Sequence, residues 1–429
     1  MAMAPDHVSQ PSLPQPLPAA LSTDTAVPCA TEAISLFTLA LLFLRIGCTS
    51  FGGFMAMVSV TQQVLCERRR LLPVADLLDG LALASVLPGP VAVNVAAYAG
   101  YRLRGVAGAS IAVVCTVLPA FLCMVGLGTL YLHYGHMEAL QPVFRGLAPG
   151  IIAIVLAAGL RLWRSAVRAR REFALGVGSA LALAALPGLA TTLTVMAIAA
   201  ALGYRWRDRS AAGLPAGEAV SANDATVASP GHAAGRRFAT PAVALVAALC
   251  GLAALTATPV LVQLASVFAG MSLLAFGGGY VFIPLLQHTV VDAYHWLTAR
   301  EFIDTLAITQ LSPGPAMISS ALVGLKVAGL SGAAAASLGM FVPSAALTIA
   351  ASGALHRVRH CVPVQAALSG MRAALAGMVF AAAWTIARAG ALEPLAMLPC
   401  AIALLCLLRF RMDPALVVTG SALSGYLLF

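Results

Sequence analysis

The chain has 429 residues, of which 60% are hydrophobic and only 10% charged, and its mean hydropathy is strongly positive. A soluble protein of that length does not need so much apolar sequence, and recurring stretches of about 20 apolar residues indicate membrane helices. The net charge of +9 comes almost wholly from arginine, with Lys326 the only lysine. No basic face with aromatic or base-reading partners accompanies it, which argues for topology signalling and against nucleic-acid binding.

Residues 1–32 are rich in Pro, Ser and Ala without periodicity and read as a disordered cytoplasmic tail. Apolar segments follow over about 33–60, 76–101, 105–132, 139–160, 173–187 and 189–204. A polar stretch over 205–240 reads as a cytoplasmic linker. After it come 241–258, 260–287, 301–326, 329–352, 363–386, 391–408 and 413–428. The expected fold is an all-α polytopic membrane protein of about 13 transmembrane or re-entrant segments. Nine cysteines are scattered without a C-x-x-C, as small core residues are. His133 and His136, and His356 and His360, have ligand-like spacing, but no carboxylate or cysteine completes a set. No metal and no cofactor is expected, and no phosphate-binding glycine loop is present.

Two motifs recur at one offset. Phe51-Gly52-Gly53 returns as Phe276-Gly277-Gly278, and Pro88-Gly89-Pro90 returns as Pro313-Gly314-Pro315, each 225 residues later. With one residue lost, Gly100 and Arg102 match Gly324 and Lys326, and Pro119 matches Pro343. The chain therefore reads as two repeats, 33–204 and 259–429. The segment 241–258 has no partner in the first half. As an extra span it makes the second repeat enter the membrane from the opposite side, so the halves are predicted to be inverted. Arginine placement agrees. With the N-terminus in the cytoplasm, Arg161 to Arg171, the linker arginines, Arg357, Arg359, Arg409 and Arg411 fall inside, and the C-terminus lies outside. Arg68, Arg69 and Arg70 fall inside only if 33–60 and 76–101 are re-entrant. Thr298 to Lys326 spans about 42 Å as one helix, enough to cross, but also suits two arms meeting at the Pro-Gly-Pro break.

Two prolines around a glycine break a helix, and in lipid the freed backbone groups need partners from protein or a wet cavity. The helix restarting after Pro90 or Pro315 offers unpaired N–H groups and a positive dipole end, which suits an anion near the bilayer centre. Asn94, Ser319 and Ser320 follow the breaks and extend the polar set. Gly52 and Gly53, with Gly277, Gly278 and Gly279, permit close backbone approach or serve helix packing. Arg45 lies inside the first apolar segment, where a cation is costly and functional by default. Arg102 and Lys326 either snorkel to the interface or attract the anion. Thr298 and Glu301 fit a capping box, and Asp76 occupies the equivalent position to Glu301. Asp79 and Asp304, also repeat-related, either carry protons or favour their helix N-termini.

Ser50 to Gly53, Leu87 to Pro90, the glycine-spaced run Gly100 to Ala109, Phe276 to Gly279, Thr309 to Pro315, Gly324 to Gly329 and Pro343-Ser344 together resemble the chromate ion transporter family, long-chain two-domain type. The likeness covers about 34–400. It implies a bacterial inner-membrane protein that exports chromate, an oxyanion that mimics sulfate, and so confers chromate resistance. The expected partners are the oxyanion and the lipid bilayer, and a homo-oligomer is compatible with the sequence. Rival readings are a carrier of sulfate or molybdate, a membrane-embedded enzyme using Asp79 and Asp304, and a structural membrane scaffold. The enzyme lacks a visible nucleophile, and a scaffold would not need repeated broken helices.

Overall fold

A computed structural model of the chain describes residues 34–51, 54–135, 137, 141–186, 188–206, 258–275, 282–352, 362–389, 396–410 and 412–428. The expected tail, the linker beyond Trp206, the span 241–257 and the glycines at 52–53 and 277–279 lie outside these residues. Among the described residues every regular element is helical.

The first half contains α1 (Leu36–Thr49), α2 (Phe54–Gln62) with a π-helical turn Gln63–Arg68, α3 (Val74–Val86), α4 (Val91–Tyr134), α5 (Gln141–Ala166), α6 (Arg170–Ala185) and α7 (Leu189–Arg205). The second contains α8 (Pro259–Leu274), α9 (Phe282–Gln287) with a π-helical turn His288–Ala293, and α10 (Ala299–Leu311). A short 3₁₀ turn Ala316–Ile318 leads into α11 (Ser319–Ser352), followed by α12 (Val362–Ala389), α13 (Met397–Arg409) and α14 (Pro414–Leu428). The repeat extends to fine detail. The two π-helical turns and α3 and α10 coincide after the 225-residue shift, and so do Arg70 and His295, non-glycine residues at φ +49° and +51°.

Local signals account for the helix starts. Ser35 caps α1 by accepting from the Thr38 N–H. Thr298 and Glu301 form the expected capping box on α10. Pro259 opens α8 at a position where its missing N–H costs nothing.

Both long helices reverse direction. In α4, Arg104 and Gly105 leave helical geometry, with Gly105 at φ +62°; in α11, Ala328 and Gly329 do the same, with Gly329 at φ +63°. A Cβ placed on Gly100 would lie 2.5 Å from the Gly108 carbonyl, and one on Gly324 would lie 2.2 Å from the Gly332 carbonyl. Residues eight apart in a straight helix are about 12 Å apart. The backbones therefore meet only because the chain folds back. That divides α4 into a short arm, 91–103, and a long arm, 106–134, and α11 into 319–327 and 330–352.

The short arms pair with α3 and α10. Arg102 bonds Asp76, and Gly80 sits against the ring of Tyr98, so α3 and 91–103 run antiparallel and Pro-Gly-Pro is the tip of a helical hairpin. Lys326 and Glu301 close the second hairpin in the same way. The long arm 106–134 is about 43 Å long, sufficient for a hydrocarbon core of about 30 Å. Val91–Tyr134, Gln141–Ala166, Ala316–Ser352 and Ala366–Arg388 are long and apolar enough to cross a membrane.

The halves are intertwined. α12 packs on α6 and α7 of the first half, while α5 packs on α13 and α14 of the second. The contacts are made by small residues, Gly203 against Gly370 and Gly146 against Gly425, so backbones approach closely.

Gly89→Ala forces an L-residue to φ +107° and places its Cβ 2.2 Å from the Cβ of Ser344. Gly105→Ala meets nothing within 4 Å and carries the backbone cost alone. Thermal unfolding in detergent should show Gly105→Ala losing about 1–3 kcal/mol and Gly89→Ala losing more, about 1–3 kcal/mol further from overpacking.

Candidate anion site at the crossed hairpin tips

Of the three residues in each Pro-Gly-Pro tip, only glycine owns an N–H. In both tips that N–H is given to the other half. Gly89 donates to the Ala275 carbonyl at 2.7 Å, and Gly314 donates to the Ser50 carbonyl at 2.8 Å. Ser50 and Ala275 are repeat equivalents, each directly before a Phe-Gly-Gly. The packing is reciprocal too, with Gly89 against Ser344 and Gly314 against its counterpart Ala120. An exchange in which each half makes the same contact to the other is what a two-fold axis generates.

The mouths of the two hairpins lie at opposite ends of the long arm of α4. Asp76 and Arg102 stand at its beginning. At its far end, Tyr131 donates to Asp304 Oδ2 at 2.7 Å, and Arg300 donates to Gln141 Oε1 at 2.8 Å.

Beyond each tip a helix begins without a side-chain cap, because Pro90 and Pro315 have none to offer. Val91, Ala92 and Val93 are buried and precede the first helical hydrogen bond, which runs from the Asn94 N–H to the Pro90 carbonyl. A buried, uncapped helix start calls for a partner from elsewhere. Asn94 Nδ2 folds back to donate to the Pro88 carbonyl at 3.2 Å, and Asn94 Oδ1 has no partner. In the second half Ser319 and Ser320 are fully buried with neither hydroxyl partnered. Asn94 and Ser319 are repeat equivalents.

The other expected site residues are distributed differently. Arg45 is exposed, on the side of α1 away from its buried residues Phe43, Ile46 and Gly47. Arg102 and Lys326 are bound to Asp76 and Glu301 at the hairpin mouths, about 17 Å along the arm from the first tip in the case of Arg102. Asp79 is half-buried on α3, and Asp304 is buried on α10. Gly52, Gly53, Gly277, Gly278 and Gly279 fall outside the described residues, as do His136, His356 and His360. Among the described residues no group of three or more His, Cys, Asp or Glu gathers to hold a metal.

Thr116 was not singled out by its sequence. Its buried hydroxyl lacks a partner, and its carbonyl lies where a Cβ on Gly47 would fall. Tyr131 was also missed, because its role depends on a carboxylate 173 residues away.

A chromate transporter family model matches residues 37–204 and again 262–426, one match for each half. The chain belongs to the chromate transporter family. It is 28% identical over 399 residues to the chromate transport protein of Cupriavidus metallidurans, covering 91% of this chain and 92% of that one. It is 31% identical over 318 residues to a probable chromate transport protein of Synechococcus elongatus, covering 74% and 76%. It is 27% identical over 423 residues to the chromate transport protein of Pseudomonas aeruginosa, covering 97% of each. No solved structure matches the chain. This chromate transporter family member is a multi-pass helical membrane transporter and not an enzyme.

The two ion pairs at the hairpin mouths are half-exposed and act as staples. Arg102→Glu should lower stability by about 1 kcal/mol. Adding Asp76→Arg should restore most of the loss in a detergent melting series, a recovery that snorkelling alone would not produce.

Proposed function

We propose that this protein is a secondary transporter that exports chromate from the cytoplasm across the bacterial inner membrane. The observation that carries the reading is the pair of crossed Pro-Gly-Pro tips, with buried, uncapped helix starts beside the unpartnered Asn94, Ser319 and Ser320. Membership of a family named for chromate supports the choice of anion. The site draws on both halves. Backbone N–H groups at the two helix starts supply positive charge without a fixed cation.

The mouths at opposite ends of the α4 long arm support an inverted repeat, and the closed hairpins support re-entry in place of crossing. With the first mouth cytoplasmic, Arg68, Arg69, Arg70, Arg102, Arg104 and the cluster from Arg161 to Arg171 share the inner side, as the positive-inside rule requires. The second mouth then faces the periplasm. There Tyr294 and Trp296 stack, in the manner of interfacial aromatic anchors. The N-terminus is cytoplasmic and the C-terminus periplasmic. Moving an oxyanion outward is downhill by about 2.3 kcal/mol per negative charge for each 100 mV of inside-negative potential, so the potential alone can drive export. Asp304, buried and tied to Tyr131, is the better placed of the two acids to add proton coupling, with Asp79 its counterpart.

Everted membrane vesicles should accumulate chromate when energised, and lose that accumulation when the potential is dissipated. Accumulation indifferent to the potential would remove the proposed driving force. Replacing Pro88-Gly89-Pro90 by alanines should leave membrane insertion intact and abolish accumulation.

For orientation, Arg69→Cys and Trp296→Cys in a cysteine-free background should react with an impermeant thiol reagent from opposite faces. Labelling of both from one face would refute the inversion.

A further inference from the structure

We propose that the site takes its oxyanion with one oxygen protonated, and that Asn94 is the residue that reads the proton. The inference rests on the anion site proposed above and concerns which form of the anion it accepts.

The orientation of the Asn94 amide is fixed by chemistry. The Pro88 carbonyl can only accept, so the amide atom 3.2 Å from it must be the NH2 group. The other end is therefore the carbonyl Oδ1, an obligate acceptor. Asn94 is fully buried, and Oδ1 has no donor. Leaving such an acceptor unpaired costs about 1–3 kcal/mol.

The tip itself has no donor to spare. Pro88 and Pro90 have no N–H, and the Gly89 N–H is committed to Ala275. The Ser344 hydroxyl, which lies against Gly89, donates to the Phe341 carbonyl. No donor of the protein reaches Oδ1, so a ligand O–H can serve it.

The remaining groups suit the rest of a tetrahedral anion. The N–H groups of Val91, Ala92 and Val93 start the same turn, and Ser319 and Ser320 carry rotatable, unpartnered hydroxyls at the equivalent place in the other half. An obligate acceptor in a turn whose N–H groups are donors, with the hydroxyls of the other half as further donors, matches an anion that carries one O–H and bare oxygens. A fully deprotonated anion would set a lone pair against Oδ1.

The proton has no other home at the tips. No residue from 80 to 97 or from 305 to 325 carries an acidic or basic side chain. On the elements packed around this arm, Asp76, Glu301 and Lys326 are paired at the mouths, Asp304 is bonded to Tyr131, and Arg45 is exposed. Asp79 sits half-buried on α3, nearer the mouth than the tip.

Chromate takes up a proton close to neutral pH, whereas sulfate does so only in strong acid. A site that hydrogen-bonds a ligand O–H rejects the analogue lacking it, because its buried polar group is left unpaired. Asn94 would thus exclude sulfate, the abundant isostere, by protonation state instead of size.

The test uses the purified full-length protein in mildly alkaline buffer, where free chromate is the dianion. Bound chromate should show the absorption spectrum of hydrogen chromate, and calorimetry in buffers of different ionisation heat should show uptake of about one proton per chromate bound. Sulfate should bind at least about tenfold more weakly. The hydrogen chromate spectrum should persist in Asp304→Asn and Asp79→Asn, and give way to that of the dianion in Asn94→Leu. A dianion spectrum in the wild type, sulfate binding as tight as chromate, or a proton signal lost in Asp304→Asn and kept in Asn94→Leu would each overturn the proposal. So would a structural water on Oδ1, seen as an Asn94→Leu variant with unchanged spectrum and selectivity. Any of these would leave chromate accumulation in vesicles intact, whereas a failure to accumulate chromate would defeat the transport reading itself.

Discussion

Two hydrogen bonds, from Gly89 to Ala275 and from Gly314 to Ser50, set the geometry of the centre. Each uses the one N–H that a Pro-Gly-Pro break retains, and each ends on the carbonyl where the other half's first helix stops. A break of this kind leaves backbone groups that a bilayer cannot satisfy. Satisfying them across the halves turns a local defect into the joint of the molecule. It also commits the glycine N–H groups, so the backbone donors left at the tips lie further on, at the helix starts and the hydroxyls beside them.

Several features around that joint follow from it. The tips can meet only if both hairpins reach the middle from opposite ends, and the ion pairs at Asp76–Arg102 and Glu301–Lys326 hold the arms together over that reach. The glycines at 105 and 329 then turn the chain back so that the long arms can run the full depth beside the hairpins. The symmetry is broken by a few side chains. Asn94 faces the role that Ser319 takes in the other half, Ser344 replaces Ala120, and Asp304 has Tyr131 where Asp79 has no tyrosine at the matching position, which is Leu355. The repeated contacts thereby leave an unpartnered acceptor at Asn94 in one half and unpartnered hydroxyls at Ser319 and Ser320 in the other.

Much of this could be read from the residues. The repeat was visible because Pro and Gly punctuate apolar sequence strongly, and the shared offset of the two motifs carried through to the π-helical turns. The capping box at Thr298 was legible because it involves four consecutive residues. Contacts between distant residues were not. The capping positions mark Asp76 and Glu301 as structural, but nothing local says that their partners are Arg102 and Lys326, 26 and 25 residues on. Gly105 looked like a boundary between two apolar segments; that it lets Gly100 touch Gly108 depends on the fold-back. Polarity alone marks Asn94 in the sequence, whereas the unpaired state of Oδ1 depends on the Pro88 carbonyl holding the other end of the amide.

The exchange of helices between the halves bears on the order of synthesis. α5 is made early, yet it packs on α13 and α14, which leave the ribosome much later. Until they arrive, the close backbone seat at Gly146 and Gly150 has no occupant from Ser421 or Gly425. The first half therefore waits in the bilayer as an unfinished module, complete in hairpin and long arm but missing one wall. Joining the repeats in one polypeptide ensures that the missing wall always arrives in equal number and close at hand.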